Sequence, residues 1–254
     1  MTRFMERLFV WSGGGMFVGS LGFCAYTYLV RWSDAAPRGG WSAWLGNSGL
    51  IGVFAAHHSF FARESVKRWL AGRIPERLLR SVYVWVASSL LIAACALWSP
   101  IGGELYDAVG WGAALLGAGE LLGIWFIARA VATIDPLDLA GIRQIRFRPA
   151  SRITSQEKSS ARMPADANVR AGPPDRLQVV GPYRFVRHPL YFGWLLVVFG
   201  TPQLTGDRLA FAALTTMYLV VAIPWEERSL TAEFGQDYEQ YKKAVPWRLV
   251  PYVY

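Results

Sequence analysis

Residues 8–30 read LFVWSGGGMFVGSLGFCAYTYLV, a run of 23 residues without a charged side chain. A helix needs about 20 mostly apolar residues to cross a hydrocarbon core about 30 Å thick. The run is therefore long enough to span a bilayer, and it is too long for the apolar region of a cleaved signal peptide. Because no small-residue cleavage site follows it, we expect this segment to remain in the protein as a membrane anchor.

Five further apolar windows follow, which brings the number of predicted spans to six. Only 17% of the residues are charged, against about 25% in a typical soluble domain, and the mean hydropathy is +0.24. The expected fold class is all-α, a polytopic membrane protein with about six transmembrane helices and a cytoplasmic amphipathic helix at the C-terminus. The later spans and that helix are Ser42–Ala62, Ser81–Trp98, Ala108–Ile127, the short Leu190–Leu204, Leu209–Pro224 and the helix Leu230–Val245.

The basic residues are distributed unevenly over the loops between these spans. Of the 26 Lys and Arg, 23 fall on one side of the predicted membrane and 3 on the other. By the positive-inside rule both termini are cytoplasmic, and we expect a bacterial inner membrane. A basic face opposite anionic lipid headgroups also accounts for the pI near 9.7. Membrane lipid is thus the expected partner of this charge, and nucleic acid is not.

Composition divides the chain into three predicted regions: a four-span half (1–130), a basic cytoplasmic linker (131–180) and a C-terminal module (181–254). The stretch 143–176 is rich in Arg, Ser, Pro and Ala, which indicates a surface linker. Small residues at helix-packing spacing, Gly15 with Gly19 and Gly119 with Gly123, predict close helix contacts. The two cysteines lie in apolar runs and fit neither a disulfide framework nor a zinc site.

Three polar side chains in the first half are candidates for function. Glu120 lies near the middle of a predicted span, where an unpaired carboxylate is costly and normally lines a cavity or pairs with a cation. A protonated or Arg-paired packing residue is the alternative. His57 and His58 end the second span, where a histidine pair suits a haem or metal ligand, a proton relay or an interfacial hydrogen bond.

The C-terminal module has the densest set of polar side chains. GPYRFVRHPLYFGW at 181–194 opens span five, and PWEER at 224–228 closes span six. The turn at 205–207 makes these spans a hairpin, which predicts that Glu226 and Glu227 return beside Arg187 and His188. A pocket with both signs of charge suits a small ligand that carries a carboxylate and a cation. An ordinary basic, aromatic membrane interface is the alternative.

The order Gly-x-Tyr-x-x-Val-Arg-His-Pro-x-Tyr-x-Gly, followed by Glu-Glu-Arg-x-Leu-x-x-x-Phe-Gly-x-x-Tyr-x-x-Tyr-x-x-x-Val-Pro, spans 181–246. It resembles the integral-membrane methyltransferases that include isoprenylcysteine carboxyl methyltransferases and phospholipid N-methyltransferases. In that family the Arg-His-Pro segment and the Glu pair build the S-adenosylmethionine site. The resemblance therefore implies a cofactor site made of Tyr183, Arg187, His188, Pro189, Tyr191, Gly193, Glu226 and Glu227.

Shorter segments of the first half resemble bacterial methanethiol S-methyltransferases. They are His58–Arg63, Lys67–Trp69, Arg80–Tyr83 and Asp138–Ile145. The stretch 148–176 is longer and more polar than this likeness leads us to expect. The implied methyl acceptor is a small, methanethiol-like thiol, or else a hydrophobic or lipid-borne thiol or carboxylate.

We further expect the following roles within the site. Arg187, His188 and Tyr191 would hold the nucleotide and carboxylate end of the cofactor, and Glu226 or Glu227 its ammonium. The expected catalytic residues are Glu120, Glu227 and Arg228, with Arg228 or Glu120 orienting the acceptor.

Two other classes of function remain open at the level of sequence. Sterol reductases, which use NADPH, are similar at His-Pro-x-Tyr-x-Gly and at the terminal Val-Pro-x-Arg-x-x-Pro-Tyr-x-Tyr, matched by residues 245–254. The Glu pair favours a methyltransferase, as does Trp194, where the reductases are expected to have Asp. The third class is a haem-binding or non-catalytic membrane protein.

Overall fold

The computed structural model describes residues 3–34, 39–61, 63–134, 136–143, 177 and 179–254. Most of the predicted linker stretch 143–176 lies outside these residues. The described chain forms helices and one small sheet. In order the elements are α1 (Arg3–Leu29), η1 (Arg31–Ser33), α2 (Trp41–Phe61), α3 (Glu64–Ala71), α4 (Glu76–Ala96), β1 (Glu104–Asp107), α5 (Gly110–Ile134), α6 (Pro136–Leu139), η2 (Gly181–Arg184), α7 (Pro189–Phe199), β2 (Gln203–Thr205), α8 (Gly206–Phe234) and α9 (Gln236–Ala244).

Four of the described helices, α1, α4, α5 and α8, are long and apolar enough to cross a membrane. The prediction of an integral membrane protein is confirmed, but the count of six spans is not. α2 carries Asn47 and a histidine pair and is not one of the four. α7 has 11 residues, a length of about 16 Å, which is roughly half of the hydrocarbon core. The predicted span Leu190–Leu204 ends early because its last residues leave the helix and form β2.

The one sheet in the described chain is a two-stranded ribbon. β1 pairs antiparallel with β2, with Glu104 opposite Thr205 and Asp107 opposite Gln203. It joins the loop between α4 and α5 to the loop between α7 and α8. The fold is therefore mostly helical, as predicted, with this ribbon as an addition that apolar periodicity does not reveal.

Asp207 in the first turn of α8 anchors this end of the molecule. Its buried carboxylate accepts hydrogen bonds from the indole N–H of Trp98 (2.7 Å) and from the backbone N–H groups of Ile101 (2.9 Å) and Gly102 (2.8 Å). A buried carboxylate is tolerated when its oxygens are fully hydrogen-bonded. Asp207 thus fixes the start of α8 against the loop that follows α4.

Arg208, the next residue, is bonded to the end of α1 and to β2. Its guanidinium is buried, and its partners within the described part of the chain are neutral oxygens, chiefly backbone carbonyls. These carbonyls belong to Tyr28 (2.9 Å), Leu29 (2.9 Å) and Gln203 (2.7 Å). Arg208 therefore closes the end of α1, whose last carbonyls have no helical partner.

The glycines that pack closely against other helices are partly different from the predicted ones. An added Cβ at Gly123 would lie 2.6 Å from the Gly193 carbonyl oxygen, so α5 and α7 cross in backbone contact there. Gly119, Gly15 and Gly19 pack against nothing that an added Cβ would meet within 4 Å. In α1 the closely packed glycines are Gly13, beside the indole of Trp85, and Gly14, beside the side chain of Ile142. Gly123 thus lies at a described helix contact, and the backbone of Gly119 faces Gly200 at the end of α7, 3.4 Å from where a Cβ at Gly200 would lie.

The chain after α8 turns sharply at Gly235, which has φ +55°, and continues as α9. One side of α9 is buried through Tyr238 and Tyr241, which pack with Val245, Leu230 and Phe234. The cytoplasmic position of this helix stays a prediction. So does the three-part division of the chain, although α5 and α7, on either side of the linker, pack directly together.

Candidate active site

The Arg-His-Pro segment is held by the C-terminal tail of the chain. The backbone N–H of Arg187 donates to the carbonyl of Trp247 and that of His188 to the carbonyl of Arg248, each at 2.9 Å. Pro189 then begins α7, where its missing N–H costs no helical hydrogen bond. The turn before α7 and the tail after α9 thus form one unit.

A buried ion pair joins this unit to α8. Arg187 Nε lies 2.7 Å from Glu227 Oε1, and both side chains are less than a tenth exposed. The Arg187 Nη1 also donates to the carbonyls of Val245 (2.8 Å) and Pro246 (2.9 Å). These contacts use the Nε and Nη1 hydrogens, three of the five donors of the guanidinium. Arg187 therefore orders the site.

Arg248 supplies a second cation to Glu227. Its Nε lies 3.1 Å from Glu227 Oε2, and its Nη1 donates to the Tyr254 hydroxyl at 3.2 Å. Burial lowers the pKa of Arg248, but Glu227 and Tyr254 together outweigh that effect and the net shift is upward. Arg248 is therefore a permanent cation, and its side chain is 37% exposed.

His188 stands between the two carboxylates. Its Nε2 lies 3.4 Å from Glu227 Oε1 and its Nδ1 lies 3.6 Å from Glu226 Oε2. The ring stacks in parallel on Tyr191, with centroids 5.4 Å apart. The buried imidazole thus connects the inner carboxylate with the outer one.

Glu226 differs from its neighbour in exposure. Its side chain is 43% exposed, whereas that of Glu227 is 7% exposed. It accepts a hydrogen bond from the Tyr191 hydroxyl at 2.9 Å. Tyr183 lies within range of the same charge, and burial together with Glu226 raises the pKa of Tyr183 to about 12. Tyr183 therefore stays a neutral hydroxyl at neutral pH, and Glu226 is the open anion of the cluster.

The sequence comparisons identify relatives of the whole chain. A model of the isoprenylcysteine carboxyl methyltransferase (ICMT) family matches residues 167–232. Methanethiol S-methyltransferase 2 of Bradyrhizobium diazoefficiens is 37% identical over 237 residues, which cover 92% of this chain and 84% of that protein. The methanethiol S-methyltransferase of Crocosphaera subtropica is 32% identical over 93% of this chain and 86% of its own length. The chain belongs to the methanethiol S-methyltransferase family.

The likeness to prenyl-protein methyltransferases is confined to a shorter segment. Protein-S-isoprenylcysteine O-methyltransferase of Schizosaccharomyces pombe is 39% identical over 69 residues, which make up 26% of this chain and 29% of that protein. No solved structure matches the chain. Membership of the methanethiol S-methyltransferase family confirms the resemblance that the motifs indicate.

In this family member two predicted catalytic residues lie away from the cluster. Arg228 follows Glu227 on α8 but points outward, with its guanidinium 4.9 Å from the ring centroid of Trp225. Glu120 lies towards the other end of α8, in electrostatic range of Arg208 and Tyr28. Consecutive helical residues differ by about 100° in direction, so Arg228 leaves α8 about 200° from Glu226, on nearly the opposite face.

Gly193 was predicted in the cofactor site, and the structure places it at the crossing of α7 with α5. An added Cβ there would lie 2.7 Å from the Gly123 carbonyl oxygen. Tyr191 and Gly193 lie on different faces of α7. The Tyr191 side chain reaches the cluster, whereas Gly193 faces α5. Gly193 therefore serves helix packing.

Two contributors to the site were missed in the sequence. Arg248 pairs with Glu227, and the buried hydroxyl of Tyr238 has no hydrogen-bond partner among the residues described. Tyr238 lies in electrostatic range of both Glu226 and Glu227. Charge balance could have pointed to Arg248 in the sequence, because two adjacent carboxylates beside one arginine call for a second cation nearby.

Proposed function

We propose that the protein transfers a methyl group from S-adenosylmethionine to a small thiol at the membrane. The observation that carries this proposal is the half-exposed Glu226 carboxylate, set in a cluster whose other carboxylate is already paired. An open anion beside a partly exposed cation suits a ligand with an ammonium and a carboxylate on one carbon.

The residues present fit such a cofactor. Glu226 would hold the ammonium and the partly exposed Arg248 the carboxylate, which refines the earlier choice between Glu226 and Glu227. The unpartnered Tyr238 hydroxyl adds a free polar group in the same neighbourhood. When bound, the cofactor supplies an electrophilic methyl group on a sulfonium. Arg187 and Glu227 keep the turn before α7 and the end of α8 in register, and His188 and Tyr191 orient Glu226.

A small thiol is the acceptor class that the comparisons favour. Two relatives that align over more than nine tenths of the chain, at 32% and 37% identity, are named methanethiol S-methyltransferases. The isoprenylcysteine enzyme aligns over 26% of the chain only. Neither an NADPH reductase nor a haem protein has a comparable observation in its favour.

The charge bias supports the proposed location. With 23 basic residues on one predicted side and 3 on the other, both termini and the Arg187 cluster would face the cytoplasm in a bacterial inner membrane. A cytoplasmic cofactor would then reach Glu226 directly.

Calorimetric titration of the detergent-purified protein with S-adenosylmethionine tests the cofactor assignment. Glu226→Gln removes one charge without changing the size of the side chain. Since hydrogen bonds to charged groups contribute about 1.5–3 kcal/mol, we expect Kd to rise roughly 10- to 100-fold. Glu233→Gln, an exposed carboxylate on the same helix, is the matched control and should bind like the wild type. Equal Kd values for Glu226→Gln and wild type would refute the assignment.

A further inference from the structure

The end of α2 carries a second cluster of polar aromatic side chains, which we call the His–Tyr cluster: His57, His58, Tyr83 and Tyr218. The Tyr83 hydroxyl, on α4, is hydrogen-bonded to His58 Nδ1. His57 stacks on the ring of Tyr83, with centroids 5.4 Å apart and planes at 11°. Tyr218, on α8, contacts His58 edge-on at 6.0 Å between centroids. Three helices thus bring these four side chains together.

The His–Tyr cluster adjoins the proposed cofactor site. Tyr218 and Tyr83 both lie in electrostatic range of Tyr191, the residue that donates to Glu226. Tyr218 is also in range of Glu226 itself and is hydrogen-bonded to Ser59. Tyr218 and Glu226 are eight residues apart on α8, two turns of helix. A molecule beside Glu226 on this face would therefore have the His–Tyr cluster as its neighbour.

The contacts of the cluster leave proton-accepting capacity unused. Both ring nitrogens of His57 are buried and have no hydrogen-bond partner among the described side chains. His58 has Tyr83 on its Nδ1, and the charged or titratable groups that face it are His57 on α2, Arg80 and Tyr83 on α4, and Tyr218 on α8. The guanidinium of Arg80 lies 5.2 Å from the ring centroid of Tyr83, where its charge favours negative charge on the Tyr83 oxygen and opposes positive charge on His58.

We propose that Tyr83 and His58 remove the proton of the acceptor thiol, an inference that rests on the proposed thiol methyl transfer. A thiolate is the reactive nucleophile, and an alkanethiol is almost entirely protonated at neutral pH. A positioned proton acceptor speeds such a reaction about 100- to 10,000-fold. Arg187 and Glu227 cannot take this role because both are engaged in the buried ion pair.

The step balances as follows. The thiol sulfur forms the new bond to the methyl carbon, and the bond from that carbon to the donor sulfur breaks, leaving its electron pair on the donor sulfur. The thiol proton passes to the Tyr83 oxygen as the Tyr83 proton moves to His58 Nδ1. His58 then releases a proton to water, which restores both side chains.

The first test compares two thiols in one variant. Tyr83→Phe removes the hydroxyl and keeps the ring that stacks on His57. With ethanethiol as acceptor we expect kcat to fall about 100-fold at neutral pH and to recover as pH rises towards the pKa of the thiol. With thiophenol, which is largely ionised near neutral pH, kcat should change less than threefold. His58→Gln should behave in the same way, and Tyr26→Phe, exposed on α1, should match the wild type.

The second test does not depend on turnover. The chain has three histidines, so nitrogen-15 histidine spectra can be assigned with His58→Gln. Ethanethiol added without cofactor should shift the His58 signals of the wild type and leave those of His188 unchanged, and Tyr83→Phe should lose this response. An unchanged His58 signal in the wild type would overturn the proposal.

The outcomes separate this inference from the function on which it rests. Two results with an active wild type would show that the proton-transfer role is wrong while the thiol methyltransferase stands. In the first, Tyr83→Phe methylates ethanethiol as well as the wild type does. In the second, Tyr83→Phe loses activity towards ethanethiol and thiophenol equally while its cofactor Kd is unchanged. If the wild type binds cofactor and methylates neither thiol, the proposed acceptor class is wrong, and this inference is overturned with it.

Discussion

The two ends of α8 use adjacent charged residues in opposite ways. At its start, Asp207 and Arg208 are both buried, and their hydrogen bonds go to the indole of Trp98, to backbone groups and to neutral side-chain oxygens. Near its end, Glu227 is buried and paired with Arg187, while Glu226 is 43% exposed and bonded to one hydroxyl. The first pair holds loops together, and the second leaves one charge open.

This contrast separates structural polar residues from ligand-binding ones in a membrane helix. A charge whose partners are backbone groups from distant loops stabilises the fold, because removing it leaves those groups buried and unsatisfied. A charge held by a single neighbour and open on its other side keeps the capacity to bind a ligand. On this criterion we propose Glu226 as the ligand-binding member among the four.

The largest effect is expected from Arg187→Ala. It leaves Glu227 buried with one partner fewer and the carbonyls of Val245 and Pro246 without a donor, at a cost of about 3–5 kcal/mol in the free energy of unfolding. Denaturant unfolding in detergent measures it. Arg184→Ala, an exposed arginine three residues earlier, should unfold like the wild type. A decrease of less than about 1 kcal/mol in the free energy of unfolding would contradict the role of Arg187 in joining α8 to the C-terminal tail.

Asp207→Ala should come next, with a loss of about 3 kcal/mol, because three donors lose their common acceptor. Unlike Arg187→Ala, this variant should bind S-adenosylmethionine with wild-type Kd in the fraction that remains folded. Asp237→Ala, exposed on α9, is the control. If Asp207→Ala weakens cofactor binding and not folding, the contrast between the two ends of α8 fails.

Gly193→Ala separates packing from cofactor contact. The added methyl group would press on the backbone of α5 at Gly123, so we expect a loss of about 1–3 kcal/mol in stability with an unchanged Kd for S-adenosylmethionine. Gly19→Ala, where nothing lies within 4 Å, should not destabilise the protein. A selective rise in Kd for Gly193→Ala would restore Gly193 to the cofactor site.

The smallest effect is expected from Arg228→Gln. Its outward guanidinium stacks on exposed Trp225, and surface changes of this kind alter stability by less than about 0.5 kcal/mol. The kcat for ethanethiol should stay within twofold of the wild type. A tenfold loss of kcat would return Arg228 to the catalytic residues predicted from sequence.

The site could be predicted where it depends on local motifs joined by a hairpin. Arg187, His188, Tyr191 and the Glu pair do meet, since two helices joined by a tight connection return the Glu pair to the start of α7. The direction of a side chain around its helix was not predictable in the same way. Arg228 and Gly193 are turned to other neighbours by their helical phase, and Glu120 lies towards the other end of α8.

The fold shows the same division between composition and geometry. Hydropathy identified the four long helices, α1, α4, α5 and α8. It overestimated span five, because the polar and turn-forming residues after Phe199 pair with β1, more than 90 positions earlier in the chain. The pairing of the Arg187 and His188 amides with the tail is equally non-local, and no periodic pattern encodes it.

That pairing also sets an order of events during synthesis. Arg187 and His188 find their backbone acceptors at Trp247 and Arg248, about sixty residues later. When α1 to α5 have been made and inserted, the Arg-His-Pro turn is still without its partners. The Arg-His-Pro turn therefore gains these partners only after residue 248 has left the ribosome, so a nascent chain stalled between residues 234 and 248 has its long membrane helices and lacks the tail that holds this turn.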